Sequence, residues 1–270
     1  MSSMEAIRES TAAEGLSPSA STKDFSTSRF ISFRGPVLAM LGILALMVFL
    51  RMYQQMYAFS AGLDSTTPDF DKYWMGLLRV ELVLLVSSWA ALWSFLWFTR
   101  DRHLDKLQVK DEIRRYFHLI GFIFIYAFAV YFAASFFAEQ DASWHQTVVR
   151  DTSFTPSHIV LFYGTMPFYV LFGVGSFLYA MTRLPKFASN ISIPFLIAVV
   201  GPFLILPNLG YNEWGHAFWL MEEFFSAPLH WGFVVLGWSV LALGGLLIQI
   251  SQHLIELFRR ADAERGAYSA

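Results

Sequence analysis

Six long apolar stretches constrain this chain more than any other feature. They run from about Pro36 to Phe59, Tyr73 to Phe98, Tyr116 to Phe137, His158 to Met181, Ile191 to Leu206 and His230 to Ile250. About 20 apolar residues in helical form cross roughly 30 Å of hydrocarbon, where only a helix or a closed barrel satisfies its own backbone. None of the stretches shows the sustained alternation of a barrel strand. The expected fold is therefore all-α: a polytopic integral membrane protein with about six transmembrane helices. The fifth stretch is the shortest, and Gly201-Pro202 breaks it. A composition 56% hydrophobic and 15% charged agrees, since soluble domains are about a quarter charged.

The chain has no cysteine, which excludes a disulfide scaffold, iron–sulfur clusters, thiolate copper and zinc fingers. A net charge of −2 is not the basic excess of a nucleic-acid binder, so no nucleic acid is expected as partner. Residues 1–34 are serine-rich and read as a tail. Residues 35–256 form the expected membrane domain, and 257–270 a second tail. Sorting Lys and Arg by side orients the molecule. Six spans put the N-terminal tail, the second and fourth loops and the C-terminus on one side. That side carries 15 of the 19 basic residues, while the other carries Lys72, Arg150 and nine acids. Both termini are therefore expected in the cytoplasm.

Three charges fall inside the spans: Arg51, Arg79 and Glu81. Intramembrane charges usually pair, so a structural Arg–Glu pair with snorkelling is the leading expectation and a proton or ion path the alternative.

Four of the seven histidines fall into two matching patterns at the acidic side. Asp141-Ala-Ser-Trp-His145 is followed after thirteen residues by His158. Asn212-Glu-Trp-Gly-His216 is followed after fourteen by His230. On a helix, i and i+4 share a face, so Asp141 with His145, or Asn212 with His216, could grip one metal ion. The second His of each set stands at the mouth of the next span, two residues after Pro156 or Pro228, a helix-start signal. Two imidazoles and one oxygen ligand with open positions suit a catalytic metal. Iron, zinc and copper all accept such ligands, and the residues alone do not choose. His103, His118 and His253 lack such partners, and solvated loops and helix ends account for them. Aromatic residues near the clusters, among them Trp144, Phe162, Tyr163, Trp214 and Trp231, could wall a small apolar pocket.

The segments Asp141-Ala-Ser-Trp-His145, Thr155-Pro-Ser-His158, Leu209-Gly-Tyr-Asn-Glu-Trp-Gly-His216 and Pro228-Leu-His230, with the loop Asp111-Glu-Ile-Arg-Arg-Tyr-Phe117, resemble the C subunit of particulate methane monooxygenase and of the related ammonia monooxygenase. The resemblance covers nearly the whole chain. It implies a copper-dependent complex of the bacterial inner (intracytoplasmic) membrane. That complex oxidises methane to methanol, or ammonia to hydroxylamine, with dioxygen and a quinol-type reductant. It implies the A and B subunits of the monooxygenase as partners, in a trimer of heterotrimers surrounded by membrane lipid. It implies that Asp141, His145 and His158 form one metal site, for copper with zinc or iron as alternatives, and that Asn212, His216 and His230 form a second copper site. All six residues are candidate catalytic ligands. The competing expectations are a structural metal-binding subunit with catalysis elsewhere and a membrane metal transporter. A transporter would need polar ligands continuing through the spans, and few are present.

Overall fold

The computed structural model describes residues 32–131, 155–204, 238 and 240–268. Among them every regular element is helical. Helix α1 spans Arg34–Ala61. Helix α2 spans Pro68–Phe98, with a wide π-helical turn at Asp71–Met75. Helix α3 spans Val109–Val130, and α4 spans Pro156–Arg183, with a second π-helical turn at Ile159–Thr165. Two short helices follow, α5 at Pro185–Ser189 and α6 at Ile193–Val200. Helix α7 covers Gly244–Tyr268. The chain is an all-α, multi-pass membrane protein: α1, α2, α3, α4 and a segment Val240–Glu264 containing most of α7 are each long and apolar enough to cross a bilayer.

Local chemistry sets the ends of these helices. Thr67 caps α2 by accepting the Phe70 N–H at 3.2 Å, and Pro68 follows at the first helical position, where its missing N–H costs nothing. Ser192 does the same for α6, accepting from Phe195 N–H at 3.2 Å ahead of Ile193-Pro194. Asp111 and Glu112 lie in the first turn of α3, where acidic groups complement the helix dipole.

Helix α4 is the central element. Two-thirds of its most apolar stretch is buried, against 11% for α2, so α2 gives most of its surface to lipid or to other chains. Glycines set the closest approaches. A side-chain carbon on Gly173 of α4 would stand 2.7 Å from the Tyr126 ring of α3. Trp89 and Trp93 of α2 stack at 5.0 Å and donate their indole N–H groups to the Pro167 and Leu171 carbonyls of α4, each at 3.2 Å.

One end of the bundle is closed by ions. Arg115 of α3 pairs with Asp101 at 2.7 Å and donates to the Arg183 carbonyl at 2.9 Å. Arg183 donates to the Leu96 carbonyl at 3.1 Å and to the Thr99 hydroxyl at 2.5 Å. The start of α3 and the ends of α2 and α4 are thereby tied together. The Asp101 carboxyl is held below its ordinary 3.8, first by the His103 backbone N–H donating at 2.9 Å and then by Arg115.

Several boundaries differ from the expectation. Helix α3 begins seven residues before Tyr116, so the motif Asp111–Phe117 is helical rather than a loop. The fifth apolar stretch gives the eight-residue α6 and one 3₁₀ turn at Gly201–Leu204. The last helix runs to Tyr268, through residues expected as a tail. Its Arg259 and Arg260 are exposed and its Leu254 and Leu257 buried, so an amphipathic face continues where the uniformly apolar run stops.

The break at Gly201-Pro202 has a structural answer. The Ala198 carbonyl of α6 would ordinarily accept the N–H of residue 202, and proline has none. Two buried donors replace it: the Tyr126 hydroxyl at 2.6 Å and the Trp238 indole at 2.7 Å. Their rings meet edge-on at 5.5 Å.

Candidate metal centre

Of the six ligands expected from the sequence, the structure describes one. His158 is the third residue of α4, immediately before its π-helical turn. It is 5% exposed, and its ring lies 5.0 Å from the Phe162 ring one turn on. Asp141, His145, Asn212, His216 and His230 lie outside the described residues. Among the described residues no three His, Asp or Glu side chains come together as a metal site would require.

The start of α4 is positioned by three neighbours. Thr155 precedes the helix in extended conformation, and Pro156 occupies its first position. Gly62, just past α1, lies against it: a side-chain carbon there would stand 2.5 Å from Pro156 Cγ and 3.0 Å from Trp74 Nε1. Trp74 is brought inward on the π-helical turn of α2 and is fully buried. This corner, where α1 ends and α2 and α4 begin, is unusually polar for its burial. Thr155 Oγ1, Ser157 Oγ and Trp74 Nε1 are all buried without a hydrogen-bond partner among the described residues. Buried polar groups normally have partners. The sequence offered a signal for two of them, since Thr155 and Ser157 sit inside the Thr-Pro-Ser-His motif. Trp74 carried no such signal.

The donor chemistry fits a metal of the copper–zinc–iron group, because imidazole suits all three. The residues that follow His158 on α4, Ile159, Val160 and Leu161, are apolar and each 0% exposed.

Two further histidines are held by packing, and His103 is exposed. His253 lies inside α7 rather than in its last turn, between the rings of Tyr116 and Phe187, each 6.0 Å away. His118 Nδ1 lies 3.4 Å from the Tyr179 hydroxyl.

The expected Arg–Glu pair does not form. Arg79 pairs with Asp71 at 2.6 Å, both exposed, and Arg51 donates to Gln54 at 3.0 Å. Glu81 instead turns inward, 8% exposed, with neither carboxyl oxygen hydrogen-bonded among the described residues. Residues two apart on a helix do not share a face, and that separates Glu81 from Arg79.

The family model for the C subunit of ammonia monooxygenase/methane monooxygenase matches residues 17–261. No curated protein matches the chain.

Proposed function

The chain belongs to the family of ammonia monooxygenase/methane monooxygenase C subunits, and from that premise we propose that it is the C subunit of a copper-dependent methane monooxygenase. Membership makes it part of a multisubunit membrane monooxygenase. The finer reading is that it assembles with the A and B subunits, as three heterotrimers, in a bacterial inner (intracytoplasmic) membrane. Both termini then face the cytoplasm, as the basic residues ask, and the start of α4 faces the periplasm. The complex hydroxylates methane with dioxygen, using a quinol-type reductant.

The observation that carries the reading is the match over residues 17–261, which contains both ligand sets, Asp141, His145, His158 and Asn212, His216, His230. His158 adds support, being buried at the mouth of a span. Copper held by these side chains would supply the one-electron chemistry that activates dioxygen. The protein's own contribution is to fix the imidazole and exclude water. The Phe162 ring packs on His158, and the fully buried Ile159, Val160 and Leu161 keep the surroundings dry. The preference for methane over ammonia rests on the overall resemblance of the sequence.

The test is His158→Ala, and separately His230→Ala, in the assembled complex, with copper content and copper spectroscopy beside turnover. Each variant should lose the copper signal of its own set and keep the other. Methane oxidation should exceed ammonia oxidation in the unaltered complex. Full copper content with full turnover in His158→Ala would sink the assignment.

A further inference from the structure

Four aromatic rings run in contact from the corner beside His158 to the protein surface. Trp74, on the π-helical turn of α2, is fully buried. Its Nε1 and Pro156 Cγ both crowd the point where a side-chain carbon on Gly62 would stand, at 3.0 and 2.5 Å. The indole therefore lies against the start of α4, two residues ahead of His158. Tyr53 of α1 meets Trp74 edge-on at 5.6 Å. Tyr57, one turn further along α1, follows Tyr53 at 4.7 Å. It stacks in turn on Tyr73 of α2 at 4.5 Å, with the planes 18° apart. The Tyr73 hydroxyl is on the exposed side, where the Lys72 ammonium donates to it at 3.4 Å.

Tyrosine and tryptophan at a span mouth ordinarily form a belt facing the headgroups. These rings are arranged otherwise. All three tyrosines are partly buried and pack on the hydrophobic core, and each ring touches the next. The Tyr53 hydroxyl donates to the Tyr73 carbonyl at 2.8 Å, which fixes its ring between Trp74 and Tyr57. Indole and phenol yield a single electron more readily than any side chain but a thiolate, and the chain has no cysteine. Electron transfer weakens steeply with distance, so rings in contact carry a charge farther than one long jump. Phe162, which packs on His158 at 5.0 Å, is too hard to oxidise to join them.

We propose that Trp74, Tyr53, Tyr57 and Tyr73 form a one-electron escape route from the metal centre of His158 to the protein surface. The need for it rests on the oxygenase reading above: an oxidant able to attack methane attacks its own ligands when no substrate is present. Trp74 gives one electron to the oxidised centre, which is reduced by one. The vacancy on Trp74 is filled, through the Tyr53 ring, by one electron from the stacked Tyr57–Tyr73 pair. Tyr73 then releases its hydroxyl proton to water, and Lys72 goes on donating to the phenoxyl oxygen. A quinol returns one electron and one proton, which restores the phenol and leaves a semiquinone.

The experiment uses the intact complex, reduced and then given hydrogen peroxide without hydrocarbon, in the presence of the spin trap 2-methyl-2-nitrosopropane. Adducts and oxidised residues are mapped by mass spectrometry. Within this chain the adducts should concentrate on Tyr57 and Tyr73, and the peptide that contains His158 should stay unoxidised. Copper-stripped complex and His158→Ala should lose the adducts at both tyrosines. Trp74→Phe keeps a ring but one that resists oxidation; it should also lose them, with oxidation moving to the His158 peptide. Adducts spread evenly over the other tyrosines of the chain, or undiminished in Trp74→Phe, would overturn the proposal. The distribution in the unaltered complex decides even if a variant does not assemble. Copper spectroscopy on the same samples separates the two readings. Adducts missing from Tyr57 and Tyr73, with a copper signal that His158→Ala removes, sink the route alone. A copper signal and adducts that both survive His158→Ala sink the copper assignment and the route with it.

Discussion

The Ala198 carbonyl offers a sharp test of how this fold tolerates a proline-broken helix. Pro202 removes its ordinary partner, and Tyr126 and Trp238 both donate to it. Replacing Tyr126 by Phe keeps the ring and leaves the carbonyl bonded to Trp238. The expected cost is that of one net hydrogen bond, about 0.5–1.5 kcal/mol. Replacing Trp238 by Phe also leaves the carbonyl one donor, but it adds a void where the indole was. The double variant differs in kind. It strands a buried carbonyl, whose desolvation alone costs about 1–3 kcal/mol. The double loss should therefore exceed the sum of the single losses by roughly 1 kcal/mol or more, and the thermodynamic cycle cancels the void left by the indole. The assay is SDS titration of the purified complex in mixed micelles, followed by far-UV circular dichroism. Additive losses, agreeing within about 0.5 kcal/mol, would refute the idea that these two donors share one indispensable acceptor.

Three further outcomes follow from the same structure. Asp101 has a folded-state pKa below its ordinary 3.8, so its contribution is fully present above that value and is lost as the pH falls through the lowered one. Asp101→Asn should be less stable than the parent near neutrality and should flatten the acid limb of a stability–pH curve below about pH 4. Gly62→Ala should cost about 1–3 kcal/mol by overpacking, because its new methyl meets Pro156 and Trp74; an unchanged SDS midpoint would count against the tight corner. Removing metal with a chelator should abolish turnover yet leave the far-UV spectrum intact, since the helices of this bundle are held by apolar packing and by the Arg115–Asp101–Arg183 clamp; loss of helix on chelation would instead make the metal structural.

Much of the bundle was legible because a membrane span announces itself by length and apolarity. The stretches at Pro36–Phe59 and Tyr73–Phe98 became α1 and α2 with ends moved by a few residues. Errors arose where apolarity is not what ends a helix. Helix α3 starts on charged residues because Asp111 and Glu112 suit a helix N-terminus, and α7 continues past its apolar run on one buried face. His158 at the mouth of a span was readable from Pro156 two residues earlier. Its buried neighbour Trp74 was not, because a π-helical turn shifts which side chains face inward and no hydropathy pattern encodes that shift. The expected Arg–Glu pair was not met, because Arg79 and Glu81, two residues apart, turn to different sides of the helix and Arg51 bonds to Gln54.

The π-helical turn Ile159–Thr165 of α4 also bears on how such a chain can change over time. A wide turn is what one surplus residue leaves in a helix, and each residue of a regular helix turns the chain by about 100°. Deleting a single residue there would leave Met166–Arg183 seated on α2 and α3 as before. It would close the wide turn and leave the segment ahead of it, His158 included, in register, whereas a deletion within the regular helix Met166–Arg183 would swing everything ahead of it by roughly 100° about the helix axis. The wide turn can thus absorb a change of one codon without re-aiming the histidine.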